Sequence, residues 1–351
     1  MTLMEYLTEA VRRGASDLFL ITGAQPSVKQ EGQLITLLEE RIIPSRGEEM
    51  VEEIYALAKR DITPFRNSGD DDFSFAVAGL ARFRVNIFRQ RGSVGAVIRV
   101  VAFSIPDWRE LGIPQGVINL SRHTSGMILF TGTAGSGKST TQACLIDRIN
   151  RQRACHIITV EDPIEFLHRN QESIVTQREI AVDTENYLSA LRACLRQAPD
   201  VIQLGEMRDL ETIRTAMTAA ETGHLLIGTL HTKGVVNAVD RIIDTFPPEQ
   251  QNQIRIQLSS VLRTVVSQQL LPGVDGGLVP AFEIMHVNSA IRTMIRESKT
   301  HQLASAIASG GAEGMCSMDR SILSLLQEKR ITIQTALAYA DNPEQLLRSV
   351  K

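Results

Sequence analysis

Aromatic side chains are scarce in this chain, with one tryptophan, four tyrosines and eleven phenylalanines in 351 residues. Proteins that grip single strands of nucleic acid stack bases on such rings, so that class is disfavoured from the outset. An excess of one charge is lacking too. The 37 Lys and Arg against 40 Asp and Glu leave a net charge of −3, which opposes a role in coating nucleic acid. The four cysteines (Cys144, Cys155, Cys194, Cys316) form no CxxC pair, and no histidine stands near them at metal-ligand spacing. Reduced thiols packed as small apolar groups are expected. No run approaches the ~18 apolar residues of a spanning helix. Glu5 and Glu9 fall where a signal peptide would be apolar. A cytoplasmic protein follows, with any membrane association peripheral. What remains is an ordinary globular composition, 43% hydrophobic and 22% charged, in a chain long enough for two domains.

The first hundred residues mix helical and strand patterns. Leu3, Tyr6, Leu7, Ala10 and Val11 recur at helical spacing within residues 2–13. Residues 17–21 and 27–29 read as strands, and 30–33 as a hairpin turn into 34–38. A helix over 46–60 is followed by strands around Phe73, Phe75 and Val77, over 82–88, and over 94–101. Residues 1–101 therefore read as a small α+β, PAS-like sheet domain. Residues 102–124 carry Pro106, Trp108, Gly112, Pro114 and Gly116, the composition of a linker and hinge. Beyond it come four short, continuously apolar runs (127–131, 156–160, 201–204 and 225–229) separated by helical stretches. Strands buried on both faces look like this, so residues 125–351 should form an α/β domain with a parallel sheet. Its C-terminal region, from about 248 to 350, reads as helical.

Between the first apolar run and the next helix stands Gly132-Thr133-Ala134-Gly135-Ser136-Gly137-Lys138-Ser139-Thr140. This matches GxxxxGK[ST] in the strand–loop–helix context that the motif requires. Backbone amides of such a loop cradle phosphate oxygens at a helix N-terminus. Lys138 should reach the β- and γ-phosphates of ATP, and Ser139 should ligate Mg²⁺. Open α/β sheets bind ligands at the carboxyl ends of their strands. There the sequence offers Glu161-Asp162-Pro163-Ile164-Glu165, Gly205-Glu206 and, after the fourth run, His231. His224 precedes that run.

In order, GTAGSGKSTT, ITVEDPIEFLH, APDVIQLGEMRD through GTLHT, and DRIIDTFP resemble the Walker A, Asp, Walker B and His boxes of secretion-superfamily ATPases. GASDLFL near the start and AIRTMIRE at 290–297 resemble the type IV pilus retraction (PilT) family in particular. The likeness runs from about residue 1 to 326. It implies a RecA-like P-loop ATPase domain and Mg²⁺-dependent ATP hydrolysis. Glu165 looks like the catalytic glutamate that polarises water, and Glu206 like the Walker B glutamate that supports the metal through a water. His231 and His224 look like nucleotide-sensing His-box residues. Arg82, Arg84 and Arg99 lie where the family supplies arginines to the phosphates. The resemblance further implies a homohexamer working on an inner-membrane pilus platform protein, in some cases beside a second pilus ATPase; composition and charge leave no nucleic-acid partner expected.

Several positions depart from the family pattern. Thr133-Ala134 replaces a Pro-Thr pair, Phe19 replaces a histidine, QAPD stands for EDPD ahead of the third run, and Gln203 interrupts that run. Regulation and specificity are the properties these changes touch. An accessory retraction ATPase and an extension or type II secretion ATPase remain open, although those latter families usually carry an extra N-terminal domain and often a tetracysteine zinc insert. A ring DNA translocase shares only the P-loop.

Overall fold

The structure, a computed structural model, describes residues 1–30, 32–101 and 105–350. Two compact units emerge. The first runs from the N-terminus to residue 101 and also takes in Pro163–Leu167. It contains α1 (Leu3–Arg12), β1 (Asp17–Ile21), β2 (Ser27–Gln30), β3 (Gln33–Thr36), α2 (Pro44–Ala58), α3 (Thr63–Ser68), β4 (Asp70–Val77), β5 (Ala81–Gln90) and β6 (Ser93–Val101). Helix α1 starts where it does because Thr2 and Glu5 form a reciprocal capping box: Glu5 N–H donates to Thr2 Oγ1, and Thr2 N–H to Glu5 Oε2. The six strands form one antiparallel sheet in the order β3-β2-β1-β6-β5-β4. Leu3 and Leu7 of α1 and Ile54 of α2 close over Leu18, Phe83, Ile87 and Ile98, all without exposure. The turn expected at 30–33 joins β2 to β3, with Gln30 opposite Gln33; its Glu31 lies outside the described residues.

The second unit takes up the rest of the chain. Its elements are α4 (Gln115–Ile118), β7 (Gly126–Thr131), α5 (Lys138–Asn150), β8 (His156–Glu161), β9 (Ile174–Glu179), α6 (Tyr187–Cys194), β10 (Val201–Leu204), α7 (Leu210–Glu221), β11 (Leu225–Leu230), α8 (Val235–Asp244), α9 (Pro248–Val261), β12 (Leu262–Pro272) and β13 (Leu278–His286). Helices α10 (Ser289–Arg296), α11 (Leu303–Ser309), α12 (Met318–Gln327), α13 (Ile333–Tyr339) and α14 (Pro343–Val350) complete it. Strand order is β13-β12-β7-β11-β10-β8-β9, parallel throughout except for β13. Every residue of β7 and β11 is buried, as continuous apolar runs demand. Helices α6 to α11 cover one face and α4 with α5 the other.

Two expectations need correcting. Residues 262–286 are not helical; they form the β12–β13 hairpin, closed by a turn in which Gly273 N–H donates to Gly277 O. Val265 and Val266 lie in β12, which extends the parallel sheet by pairing with β7, and tertiary pairing of this kind overrides weak local preference. Nor is the described part of the supposed linker a free connector. Ile113, Val117, Ile118 and Leu120 are buried against Leu145, Ile146 and Ile149 of α5. Residues 102–104, where that linker begins, lie outside the described residues.

Candidate nucleotide site

The glycine-rich loop lies between the end of β7 and the first residue of α5, at the carboxyl edge of the parallel sheet. Its shape is built on glycine. Gly132, Gly135 and Gly137 have φ of +142°, +75° and +85°. A Cβ on Gly132 would stand 2.4 Å from Gln268 O and 2.7 Å from Ser136 Oγ, and one on Gly137 would stand 2.8 Å from Gln268 Nε2. Strand β12 thus presses Gln268 against the loop and leaves no room for a side chain there. Helix α5 has no side-chain cap at its N-terminus, which leaves its first amides to a ligand. Lys138 is buried and its Nζ donates to Gly132 O (2.8 Å) and Thr133 O (2.7 Å). Ser136 Oγ is also buried and has no hydrogen-bond partner among the described residues. A positive charge, an orphan hydroxyl and a glycine cradle fit an oxyanion ligand. Ser139 and Thr140 follow on α5, both half-buried.

Two neighbouring strands bring further groups to this edge. Glu206, two residues past β10, has a largely buried carboxylate whose Oε1 accepts from Arg208 Nε and lies 3.2 Å from His231 Nε2. A cavity of about 730 Å³ is lined by Glu206, Met207, Arg208, Leu230, His231 and Thr232 together with Thr133 and Ala134 of the loop and Arg241 of α8. Across Glu206 lies a second cavity of about 390 Å³, with Asp162, Tyr187 and Asp209 among its walls. Burial pushes the Tyr187 phenol up in pKa, and the carboxylates of Asp162, Glu206 and Glu161 push it further. Gly205 makes space for that ring: a Cβ there would come 2.9 Å from the Tyr187 hydroxyl. Thr131 Oγ1 donates to Thr232 O, which fastens the His231 loop to the end of β7.

The loop, Glu206 and His231 therefore meet at one place. One candidate of the same unit, His224, does not join them. His224 stands at the amino end of β11, the opposite end from the loop, with Nδ1 2.9 Å from Ala219 O and 3.2 Å from Thr222 Oγ1. It precedes its strand, whereas the glycine loop follows β7, so within this unit the two lie at opposite edges of the sheet. Glu165 is exposed and belongs to the short stretch that groups with the first unit. Arg82, Arg84 and Arg99 are also in the first unit. There Arg84 forks onto Asp72 (3.1 and 2.8 Å) and Arg99 Nε donates to Asp17 (3.0 Å). Sequence reasoning missed Arg208, Arg241 and Gln268. Arg208 was available from its position two residues after Glu206, whereas Gln268 becomes visible only once β12 is known to be a strand.

Residues 1–302 match the family model described as type II/IV secretion system protein. This chain belongs to that family. It is 41% identical over 345 residues to the type IV pilus retraction ATPase PilT of Pseudomonas aeruginosa, covering 98% of this chain and 99% of the relative. A twitching motility protein of Neisseria gonorrhoeae is 45% identical over 276 residues, 78% of this chain and 74% of that one. The type IV pilus ATPase PilU of P. aeruginosa is 36% identical over 352 residues, covering all of this chain and 92% of the relative. Among solved structures, the pilus retraction motor PilT with bound ADP superimposes with a TM-score of 0.89 at 43% identity, covering 99% of each chain. Within the family, the chain thus falls among the PilT-type ATPases.

Proposed function

We propose that this protein is an ATP-hydrolysing hexameric motor that powers retraction of a type IV pilus. The observation that carries the reading is the near full-length likeness to PilT, supported by the meeting of glycine loop, Glu206 and His231 around one cavity. Loop amides and Lys138 hold the phosphates, the Lys138 ammonium exchanging its loop carbonyls for phosphate oxygens. Ser139 directly, and Glu206 through a water, would hold Mg²⁺, which when bound neutralises charge on the transferred phosphoryl. Glu165 orients the attacking water, His231 senses the phosphate beside Glu206, and arginines among Arg82, Arg84 and Arg99 stabilise transition-state charge. Loss of the γ-phosphate then releases a closed conformation, as in other nucleotide switches. Six chains in a ring at the cytoplasmic side of the pilus base, acting on the membrane platform protein, would turn such closures into pilus disassembly.

The test is cellular. Removing the protein from its host should leave cells with more surface pili and no twitching. Bald cells would assign it to extension instead, and unchanged piliation would remove it from the pilus altogether.

A further inference from the structure

The sheet face beneath α5 is apolar along most of its length but turns polar toward its carboxyl end. Gln203 of β10, Thr229 of β11 and Gln142 of α5 meet there, each at most 5% exposed. Gln203 Nε2 donates to Gln142 Oε1 (3.4 Å), and Gln142 Nε2 donates to Thr229 Oγ1 (2.8 Å). Each residue stands one step behind a group of the nucleotide site. Gln142 is one helical turn after Lys138, Gln203 is three residues before Glu206, and Thr229 is two before His231. Met207 N–H also donates to Thr229 O, so the residue beside Glu206 hangs on the same threonine. Burying two amides costs free energy that bonding to each other at best offsets, whereas leucine at both positions would add apolar packing. Stability alone does not account for glutamines here.

We infer that Gln142, Gln203 and Thr229 are positioning residues, a buried bridge that fixes the height of α5 against the two strand ends carrying Glu206 and His231. The inference rests on the nucleotide-site reading above. Through the bridge, Lys138 and Ser139 keep a common register with Glu206 while the site turns over.

The test uses the purified full-length protein carrying Gln142→Leu with Gln203→Leu. Because both amides leave together, only the Thr229 hydroxyl loses a partner, and the thermal midpoint should fall by a few degrees at most. Turnover should fall about ten-fold and the half-activating Mg²⁺ concentration should rise by a similar factor, as for outer-shell supports of metal sites. KM for ATP should stay within about two-fold of the parent, separating positioning from substrate binding. Amide hydrogen exchange should speed up in the first turn of α5 and not in its later turns. Thr229→Val, which keeps its shape and removes one acceptor, should shift turnover and Mg²⁺ dependence in the same direction, and it serves if the double variant does not fold. Parental turnover and Mg²⁺ dependence in either folded variant would overturn the bridge, whether or not the thermal midpoint moved. Lys138→Ala measured alongside reports on the loop itself: turnover equal to the parent there would overturn the site reading and the bridge with it.

Discussion

At the scale of single residues, the lysine of the glycine loop and one half-buried histidine lead to separate expectations. Lys138 contributes a charge within 3 Å of two loop carbonyls and little to the apolar core. Lys138→Ala should therefore abolish ATP hydrolysis while leaving the circular-dichroism spectrum unchanged and the thermal midpoint nearly so. Turnover within a few-fold of the parent would remove the loop from the chemistry. His168 sits just ahead of β9, and its Nδ1 finds no partner among the described residues. Burial pushes its imidazole down to about 4 from an ordinary 6.5. The folded state thus prefers the neutral ring. Stability from this group is complete above pH 6.5 and is lost as pH falls toward 4, to a limit of about 3 kcal/mol. Desolvation lowers His123 and His286 in the same direction. Urea midpoints measured from pH 7 to pH 4 should decline, and His168→Gln should flatten part of that decline. Parallel curves for parent and variant would assign the acid sensitivity elsewhere.

At the scale of elements, α10 carries the expectation that reaches furthest toward function. Asn288 caps it, accepting from Ile291 N–H at 2.9 Å, and Ile291 and Ile295 are fully buried, with Met294 packed beside them. Arg292 is half-buried and Arg296 exposed on a different face. Arg292→Ala with Arg296→Ala should leave assembly and most basal ATPase activity intact but abolish pilus retraction, read as twitching and pilus number at equal expression. Normal twitching would refute a coupling role, and loss of assembly would make the helix structural. The amphipathic stripe was legible in the sequence because its spacing is local. So were β7, β8, β10 and β11, whose uninterrupted apolar runs admit little else, and the glycine loop, whose residue types follow from the backbone it needs. Strands β12 and β13 were not legible. Gln268 and Gln269 break the apolar pattern of β12, and those positions make sense only with Gln268 lying against Gly132 and Gly137. The turn signal Pro272-Gly273-Val274-Asp275-Gly276-Gly277 was the available clue. Likewise, the placement of His224 away from the loop depends on which end of a strand faces the ligand, a property of the sheet and not of the residue.

At the scale of the whole molecule, the proposed phosphate role of the first unit's arginines sets how chemistry would reach neighbouring chains in a ring. Arg84 pairs with Asp72 and Arg99 with Asp17, yet the side chains of Arg84 and Arg99 remain about 39% and 65% exposed. An exposed pair such as Arg84–Asp72 contributes only about 0–1 kcal/mol, so a multiply charged phosphate can compete for that guanidinium at small cost, whereas Arg99 holds a buried carboxylate. If at least one of Arg82, Arg84 and Arg99 serves a neighbour, a chain lacking all three arginines keeps a sound glycine loop. A Lys138→Ala chain, conversely, keeps sound arginines. Each alone should be inactive. Mixed rings should contain boundaries where an intact loop faces intact arginines, and ATPase activity should reappear with a maximum near equal proportions. Native mass spectrometry would establish that mixed rings are present. Activity that stays at zero across all proportions in such rings would mean that each chain supplies its own arginine. The closing of one site would then need some other contact to be felt by the next.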